Sequence, residues 1–545
     1  MEFPSNIFRW TTNPGRWIIA VAVLALLLLT LYIAAFFYGV NSTLSDDSWG
    51  DISYYNQLAY NFTHGRPLQT SIYRQSGSGI LHNPFPYAHS FSAHVNFTPY
   101  LFLWLYKFMP TVNGLYLITI LFNVAGFLGI GWLIMRRICS SKDRFLSYML
   151  VCVAFFSVLP FAGFITYKAH FSLFAGPLIL AAYYFFLRGN RLMLAITGLL
   201  VCGVTEDLIM FMVSFSAYLF IFEKRIRKTA LWMGLGSAAY LLFVVFVIHP
   251  AARYGLITQH ISDPINKLHM LLSGKLPLSG YKVYGPFVIG FVLALTVMAL
   301  FSNFRREIEW KKFVGLIFIA PASHWFIVVT LAGGHHFMPI MVCTFLAFLL
   351  IASRLEFRPV AVVRIAAAVI ICMTLFLPRD TYRLLKRLHS HADAKSIARM
   401  ETNKSTLTQI AALPKEAGIS YWTNQGLDAF MTSRNNVWRF PDYFDSTDYL
   451  VIQKDADQTF FDTKIEASES IDAAIKRGQL YSSGTQIALP AEMVKRIENE
   501  LVNVKASHEV NVDTEHVLIL KRKENAGLPC PESTLGWGWI KHIKF

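Results

Sequence analysis

The chain has 545 residues, of which 54% are hydrophobic and only 15% are charged, and its formal net charge is +15. So few charged side chains cannot cover a soluble protein of this length, which excludes a soluble nucleic-acid-binding protein despite the basic balance. The six cysteines form no CxxC pair, so they predict neither a disulfide framework nor a metal site of that type. The composition indicates a basic α-helical protein that crosses a membrane several times.

Eleven apolar segments predict membrane spans, because a spanning helix takes about 20 apolar residues, or fewer where neighbours shield it. The predicted spans are 17–39, 113–135, 145–166, 171–187, 192–205, 208–222, 229–249, 286–302, 313–332, 337–353 and 360–378. The first is not a cleaved signal, because its apolar core is too long. The short pair 192–205 and 208–222 is also compatible with one long tilted helix.

Basic residues favour eleven spans over ten, because cytoplasmic loops collect Lys and Arg. With eleven spans all clusters fall on one side, whereas with ten those after residue 222 change sides. The clusters are Arg9/Arg16, Arg136/Arg137/Lys142/Arg144, Arg188/Arg191, Lys224/Arg225/Arg227/Lys228, Arg305/Arg306/Lys311/Lys312 and Arg354/Arg358/Arg364. We therefore expect a cytoplasmic N-terminus, a transmembrane domain over 1–378 and an extracytoplasmic domain over 379–545.

The long outer loop 40–112 predicts two helices that lie on the membrane surface. The first has Asp51 in its first turn, and its apolar residues recur at helical spacing, at Ile52, Tyr55, Ala59 and Phe62. Asp46, Asp47 or Ser48 would cap this helix. The second, 99–109, is too short to span the membrane and ends at Pro110.

The tail predicts a small α/β domain packed over the outer face, because strand and helix patterns alternate in a βαβ-like order. The predicted strands are 418–422, 436–440, 448–453, 482–489, 501–507 and 515–522, and the predicted helices are 424–433 and 491–500. The absence of GxGxxG and GxxxxGK[ST] motifs argues against nucleotide binding there.

A series of motifs, in a fairly specific order, runs through nearly the whole chain. The motifs are Asp51-Ile52-Ser53-Tyr54-Tyr55-Asn56-Gln57, Asn61-Phe62-Thr63-His64-Gly65-Arg66-Pro67, His94…Phe97-Thr98-Pro99, Glu206-Asp207-Leu208, His336-Phe337-Met338-Pro339, and a tail motif from Gly418 to Val451. Through them the chain resembles an uncharacterised family of bacterial and archaeal predicted membrane proteins. That family is usually grouped with the GT-C superfamily of polytopic glycosyltransferases, which use polyprenyl-phosphate-linked sugars.

The resemblance implies a multi-pass enzyme of the bacterial inner membrane. It would move a sugar, with inversion, from a polyprenyl-phosphate-linked donor to an envelope glycan, lipid or protein acceptor on the extracytoplasmic face. A transporter or flippase, or a non-catalytic binder of lipid-linked saccharide, stays open, because Asn56 stands where the family commonly has a second acid. A transporter is disfavoured, because transporters keep their sites near the bilayer midplane, where we expect no acid and no Pro- or Gly-broken helix in this chain.

Most ionisable side chains outside the basic clusters fall on the predicted outer face, where charge near hydrocarbon is usually functional. The candidate catalytic residues are Asp51, as general base, Glu206 and His336. Candidate substrate- or phosphate-binding residues are Asp47, His94, Lys168, His170, Asp207, Arg253 and His335. A divalent cation, Mg or Mn, would be held by Asp51, Glu206 and Asp207. Alternatively, these acids only cap helices or mark a turn.

Overall fold

The fold is given by a computed structural model of the 545-residue chain. The structure describes residues 49–66, 69–70, 88–89, 95–140, 144–156, 170–248, 270, 273, 307–330, 334–354, 406–415, 419–423, 431, 436–439, 447–453, 479–482, 485–488, 503–504, 506–514 and 517–524. The predicted spans 17–39, 286–302 and 360–378 lie outside these residues.

Helices dominate the described part of the chain up to residue 354. The α-helices are α1 Trp49–Thr63, α2 Tyr100–Leu103, α3 Val112–Ala125, α4 Gly131–Ile138, α5 Arg144–Phe156, α6 Ala175–Arg188, α7 Arg191–Cys202, α8 Glu206–Phe222, α9 Arg227–Phe243, α10 Glu307–Val314, α11 Ala322–Thr330 and α12 Met338–Ala352. Short 3-10 helices are Trp104–Phe108, Phe171–Phe174, Lys224–Ile226 and Gly334–Phe337, and π-helical turns are Gly126–Ile130, Val244–Ile248 and Gly315–Ile319.

Three continuous helical runs are long and apolar enough to cross a membrane, namely Val112–Ile138, Phe171–Arg188 and Lys224–Ile248. They coincide with three of the predicted spans. Almost every residue of α12 is buried, which is the pattern of a helix surrounded by other helices. The third run instead exposes large apolar side chains such as Trp232 and Phe246, as a lipid-facing helix does.

The helices α7 and α8 form a hairpin and are not one long helix. The chain turns at residues 203–205, where Thr205 is extended. A Cβ atom added at Gly198 would lie 3.1 Å from Met212 Cε. In one straight helix these two residues would be about 21 Å apart along the axis, since each residue advances about 1.5 Å. The two-segment interpretation of 192–222 is therefore confirmed.

Three of the basic clusters meet at one end of the helical bundle. A Cβ atom added at Gly189, which follows Arg188, would lie 3.7 Å from Arg225 Nη2. Lys312 Nζ lies 2.6 Å from Glu223 Oε1 at the end of α8. The side of the membrane that this end faces stays a prediction.

The predicted span 313–332 is interrupted near its middle. The π-helical turn Gly315–Ile319 leads into a turn at Ala320 and Pro321, after which α11 begins. Proline has no N–H to donate to the Ile317 carbonyl four residues earlier, and Trp325 Nε1 donates to that carbonyl at 2.8 Å instead. Next to this break, Ser214 Oγ donates to the Ala320 carbonyl at 2.8 Å. A helix broken at a proline is therefore present in a predicted span, and its depth in the bilayer stays a prediction.

The two helices predicted in the outer loop both exist, but only the second has one exposed apolar face. In α1, residues 54–59 are all buried, so the expectation of an amphipathic helix lying on a surface is wrong for it. Its end is closed by Gly65 at φ 77°, and the Arg66 N–H donates to the Asn61 carbonyl at 2.8 Å. The segment 100–108 buries Leu103 and Tyr106 and exposes Trp104 and Phe108, as an interfacial helix would.

The tail contains a five-stranded mixed sheet among its described residues. The chain's strands are β1 Gln69–Thr70, β2 Ala88–His89, β3 Ser420–Thr423, β4 Asn436–Arg439, β5 Tyr449–Gln453, β6 Gln479–Ser482, β7 Thr485–Ala488, β8 His508–Asp513 and β9 Val517–Arg522. The sheet order is β4-β3-β5-β9-β8, with β3 parallel to β4 and β5. The predicted strand 501–507 is wrong, because its described residues are helical and the strand begins at His508. The predicted helices 424–433 and 491–500 lie almost wholly outside the described residues.

Candidate functional site

A partly buried carboxylate at the N-terminus of α8 binds two imidazoles from other helices. Asp207 Oδ2 accepts from His336 Nδ1 at 2.8 Å and lies 3.3 Å from His324 Nε2. The hydroxyl of Thr205 donates to Asp207 Oδ1. We call Thr205, Asp207, His324 and His336 the Asp207 cluster. It joins the turn before α8, helix α11 and the 3-10 helix before α12.

The three ionisable members of the cluster differ in their access to solvent. The exposed fraction of the side chain is 0% for His324, 13% for Asp207 and 20% for His336. Burial raises the pKa of the Asp207 carboxyl, but the hydrogen bonds from His324 and His336 outweigh it and hold that pKa well below its usual range. Asp207, which precedes the predicted span 208–222, is therefore an ionised carboxylate at a helix N-terminus.

The carboxylate also fixes which ring nitrogens carry hydrogen. Because an ionised carboxylate only accepts, His336 carries hydrogen on Nδ1 and His324 carries it on Nε2. His324 Nδ1 lies 3.2 Å from Ser323 Oγ, which is 3.4 Å from Ser214 Oγ on α8. A chain of polar groups thus runs from Asp207 to the break in the helix at Ala320.

His324 is the ionisable cluster member that the sequence reasoning missed. It lies in the predicted apolar span 313–332, where one histidine does not change the apolar pattern. The available signal was that a titratable side chain inside a span is costly and needs a partner. The sequence did point to Asp207 and His336, and the structure brings these two together although 129 positions separate them.

Glu206, the neighbour of Asp207, has a different partner. Its Oε1 accepts from the Val95 backbone N–H at 2.7 Å. Thr98 is held nearby by two hydrogen bonds. Its N–H donates to the Gly203 carbonyl at 2.8 Å, and its hydroxyl donates to the Leu200 carbonyl at 2.7 Å. Glu206 therefore anchors the segment that follows His94, and its predicted catalytic role stays a prediction.

His170, predicted to bind substrate, is buried in a network of neutral groups. Its Nδ1 accepts from the Ser172 N–H at 3.1 Å, so its Nε2 carries the hydrogen that is donated to the Tyr55 hydroxyl at 2.8 Å. On the same helix as Tyr55, Asn56 Oδ1 accepts from the Tyr106 hydroxyl at 2.7 Å. These bonds fix α1 against the bundle. The predicted phosphate-binding role of His170 stays a prediction.

The remaining predicted residues are placed only by backbone or lie outside the described part of the chain. Asp51 lies on the first turn of α1, four residues before Tyr55, and His335 lies in the 3-10 helix Gly334–Phe337. Asp47, His94, Lys168 and Arg253 lie outside the described residues. The 3-10 helices Phe171–Phe174 and Gly334–Phe337 are in contact, so the segments around His170 and His336 are neighbours.

The predicted cation ligands Glu206 and Asp207 do not share their partners. Glu206 binds a backbone N–H, whereas Asp207 binds Thr205 and two imidazoles. Among the described side chains, no group of three or more His, Cys, Asp and Glu is arranged to hold a metal ion. The side chain of Asp51 lies outside the described residues, so the predicted set is not complete in the structure.

Comparison with known proteins gives the family. Residues 50–481 match the model of a family described as a predicted membrane protein (DUF2079), and the chain belongs to that family. No curated protein matches the sequence. Among solved structures, the crystal structure of ArnT from Cupriavidus metallidurans bound to undecaprenyl phosphate is 14% identical. The match covers 92% of this chain and 99% of that chain, with a TM-score of 0.45.

Proposed function

We propose that this member of the DUF2079 family is a glycosyltransferase of the bacterial inner membrane. It moves a sugar from a polyprenyl-phosphate-linked donor to an envelope glycan, lipid or protein on the extracytoplasmic face. The observation that carries the proposal is the pairing of Asp207 with His336. A carboxylate-oriented imidazole lies where α8 and the segment leading into α12 begin, at the opposite end of α8 from the basic cluster at 224–228.

The chemistry of this transfer needs a group that stabilises the departing phosphate. The bond between the anomeric carbon and the phosphate oxygen breaks, and the electron pair leaves with the phosphate. An imidazole that donates from Nδ1 to a carboxylate can, when it carries a proton on Nε2 as well, donate a charge-assisted hydrogen bond to such an oxygen. His336 suits this role, because it is the more exposed of the two imidazoles on Asp207.

The reaction also needs a base for the acceptor hydroxyl. We assign this role to Asp51, which stands in the first turn of α1. Its carboxylate takes the acceptor proton while the acceptor oxygen forms the new bond to the anomeric carbon from the face opposite the leaving phosphate, which inverts that carbon. The hydrogen bonds of Tyr55 and Asn56 hold α1 in the bundle and so position Asp51.

A transporter of lipid-linked saccharide is the second candidate, and one observation favours it. The span that contains Pro321 is broken, and a buried polar chain runs from Asp207 through His324 to this break. Broken helices that line a polar path are typical of secondary transporters. The two candidates differ because a transporter moves its substrate across the membrane without forming a bond.

The proposed function is tested by profiling glycans and lipid carriers in cells that carry the wild type, a deletion or Asp51→Asn at matched protein level. We expect the deletion and Asp51→Asn to lose the same sugar modification and to accumulate its lipid-linked donor on the outer leaflet. The control is His64→Asn, an exposed change at the other end of α1, which should behave as the wild type.

Two outcomes would contradict the transferase. If the donor accumulates on the inner leaflet in the deletion strain, the protein is a transporter. If the deletion changes the glycan while Asp51→Asn does not, the assignment of Asp51 as base is wrong, and a transporter or a non-catalytic binder of lipid-linked saccharide is favoured.

A further inference from the structure

The buried half of the Asp207 cluster has no part in the proposed chemistry. His324 lies on α11 and is completely buried. A polar side chain inside an apolar span costs free energy unless it is hydrogen-bonded. Its two ring nitrogens contact Asp207 Oδ2 and Ser323 Oγ. His324 is thus a histidine satisfied on both sides and has no direct access to a substrate.

The contact between His324 and Asp207 constrains the carboxylate that holds His336. Asp207 Oδ2 receives both imidazoles, and Oδ1 receives the Thr205 hydroxyl. The donors come from three separate elements and approach both oxygens, so they fix the plane of the carboxylate. A fixed carboxylate in turn fixes the ring orientation and tautomer of the histidine that it binds, as supporting partners do in other sites.

We propose that His324 is a positioning residue, which together with Thr205 holds Asp207 so that His336 presents Nε2 to the phosphate of a lipid-linked substrate. The inference rests on the proposed lipid-phosphate substrate, but it does not require that a sugar be transferred. His336 is the imidazole that a phosphate can meet, because it alone of the two reaches solvent.

Two nearly isosteric substitutions at the same position separate this role from simple packing. The amide nitrogen of Gln reaches the place of imidazole Nε2, whereas that of Asn is closer to the place of Nδ1. His324→Gln therefore keeps a donor for Asp207, and His324→Asn loses it while remaining polar. At His336, where Nδ1 makes the contact with Asp207, Asn keeps that contact and loses the group at Nε2.

The measurement is binding of polyprenyl monophosphate to the full chain in nanodiscs, with polyprenol and inorganic phosphate as comparison ligands. We expect the wild type to bind polyprenyl monophosphate more tightly than either comparison ligand. His324→Gln should bind as the wild type does, and His324→Asn should bind about tenfold more weakly, the loss of one charge-assisted hydrogen bond. His336→Asn should no longer distinguish polyprenyl monophosphate from polyprenol.

The inference is overturned if His324→Asn and His324→Gln bind polyprenyl monophosphate equally well, or if the wild type does not distinguish it from polyprenol. The inference is also overturned if inorganic phosphate binds as tightly as polyprenyl monophosphate, because the lipid would then contribute nothing to binding. If His324→Asn does not fold, Thr205→Val removes the other support of Asp207 and should weaken binding in the same direction. If the variants follow the expected pattern but the wild type transfers no sugar, the inference stands and the proposed function fails.

Discussion

Two buried polar regions of the bundle are neighbours, yet they are built differently. The loop anchors, which we define as the contacts Tyr55–His170, Asn56–Tyr106 and Val95–Glu206, are hydrogen bonds between one donor and one acceptor. The Asp207 cluster instead places three donors on one carboxylate. Two of the loop anchors contain only neutral hydrogen-bonding groups, whereas the cluster contains an anion that two titratable rings share.

This contrast indicates which buried polar residues are suited to a catalytic role. In a contact between neutral groups such as Tyr55–His170, the hydrogen bond holds two elements together without placing a charge between them. In the cluster a proton changes the net charge, and one ring is partly exposed. We therefore expect substitutions in the cluster to affect turnover and those in the anchors to affect stability.

The largest expected effect is that of Asp207→Asn. The amide replaces one accepting oxygen by an NH2 group, which is a donor. Either the Thr205 hydroxyl or the imidazoles, which are donors themselves, then lose their acceptor. We expect transfer to fall by about 10²- to 10³-fold, the range for losing one donor that stabilises the developing charge. Turnover per folded molecule, measured with purified protein, checks this.

The matched control for Asp207→Asn is Glu223→Gln, at the other end of the same helix, where the acid pairs with Lys312. That ion pair is partly exposed, so its loss should change little. Equal turnover in both variants would show that the Asp207 cluster is only structural.

Gly203→Ala should give the largest effect on stability among the anchors. The added Cβ would lie 2.3 Å from Phe97 Cε2 and 2.4 Å from Thr98 Oγ1, so the segment that Glu206 holds must shift. We expect a loss of about 1–3 kcal/mol, the usual cost of overpacking. Thermal unfolding compared with Gly236→Ala, which has open space at its Cβ, measures the cost. An unchanged melting temperature would contradict the close packing.

His170→Asn tests whether His170 is an anchor or a ligand-binding group. Asn can still accept from the Ser172 N–H, but it does not reach the Tyr55 hydroxyl. We expect the free energy of unfolding to fall by about 1–3 kcal/mol, with turnover per folded molecule unchanged. A double-mutant cycle with Tyr55→Phe should show that the two losses are not additive. A large loss of turnover at unchanged stability would instead support the predicted phosphate-binding role.

The smallest effect is expected from Glu206→Gln. The amide oxygen of Gln can still accept from the Val95 N–H, so the anchor persists. We expect stability to change by less than about 1 kcal/mol and turnover to stay near that of the wild type. The turnover of the purified variant distinguishes an anchor from a catalytic residue, because turnover would fall by about 10²-fold or more if Glu206 were a general acid or base.

Much of the helical framework follows from local sequence. The spans 113–135 and 171–187 agree with the helices at these positions within a few residues, because a long apolar run has few other ways to satisfy its backbone in a membrane. The charge pattern also predicted that 192–222 is two segments. The burial of α1 was not predictable, because its surroundings are supplied by residues distant in sequence.

The apolar helices, the family and the candidates Asp207 and His336 follow from the amino-acid sequence alone, since length, hydropathy and local motifs depend on neighbouring residues. That Asp207 binds His336 and His324, while the adjacent Glu206 binds the Val95 backbone, follows only from the packing of distant segments. Two acids in consecutive positions of a helix point about 100° apart. They therefore contact different parts of the chain. The role of each carboxylate depends on its partner, and that partner comes from a segment that is distant in sequence, so a local pattern does not predict it.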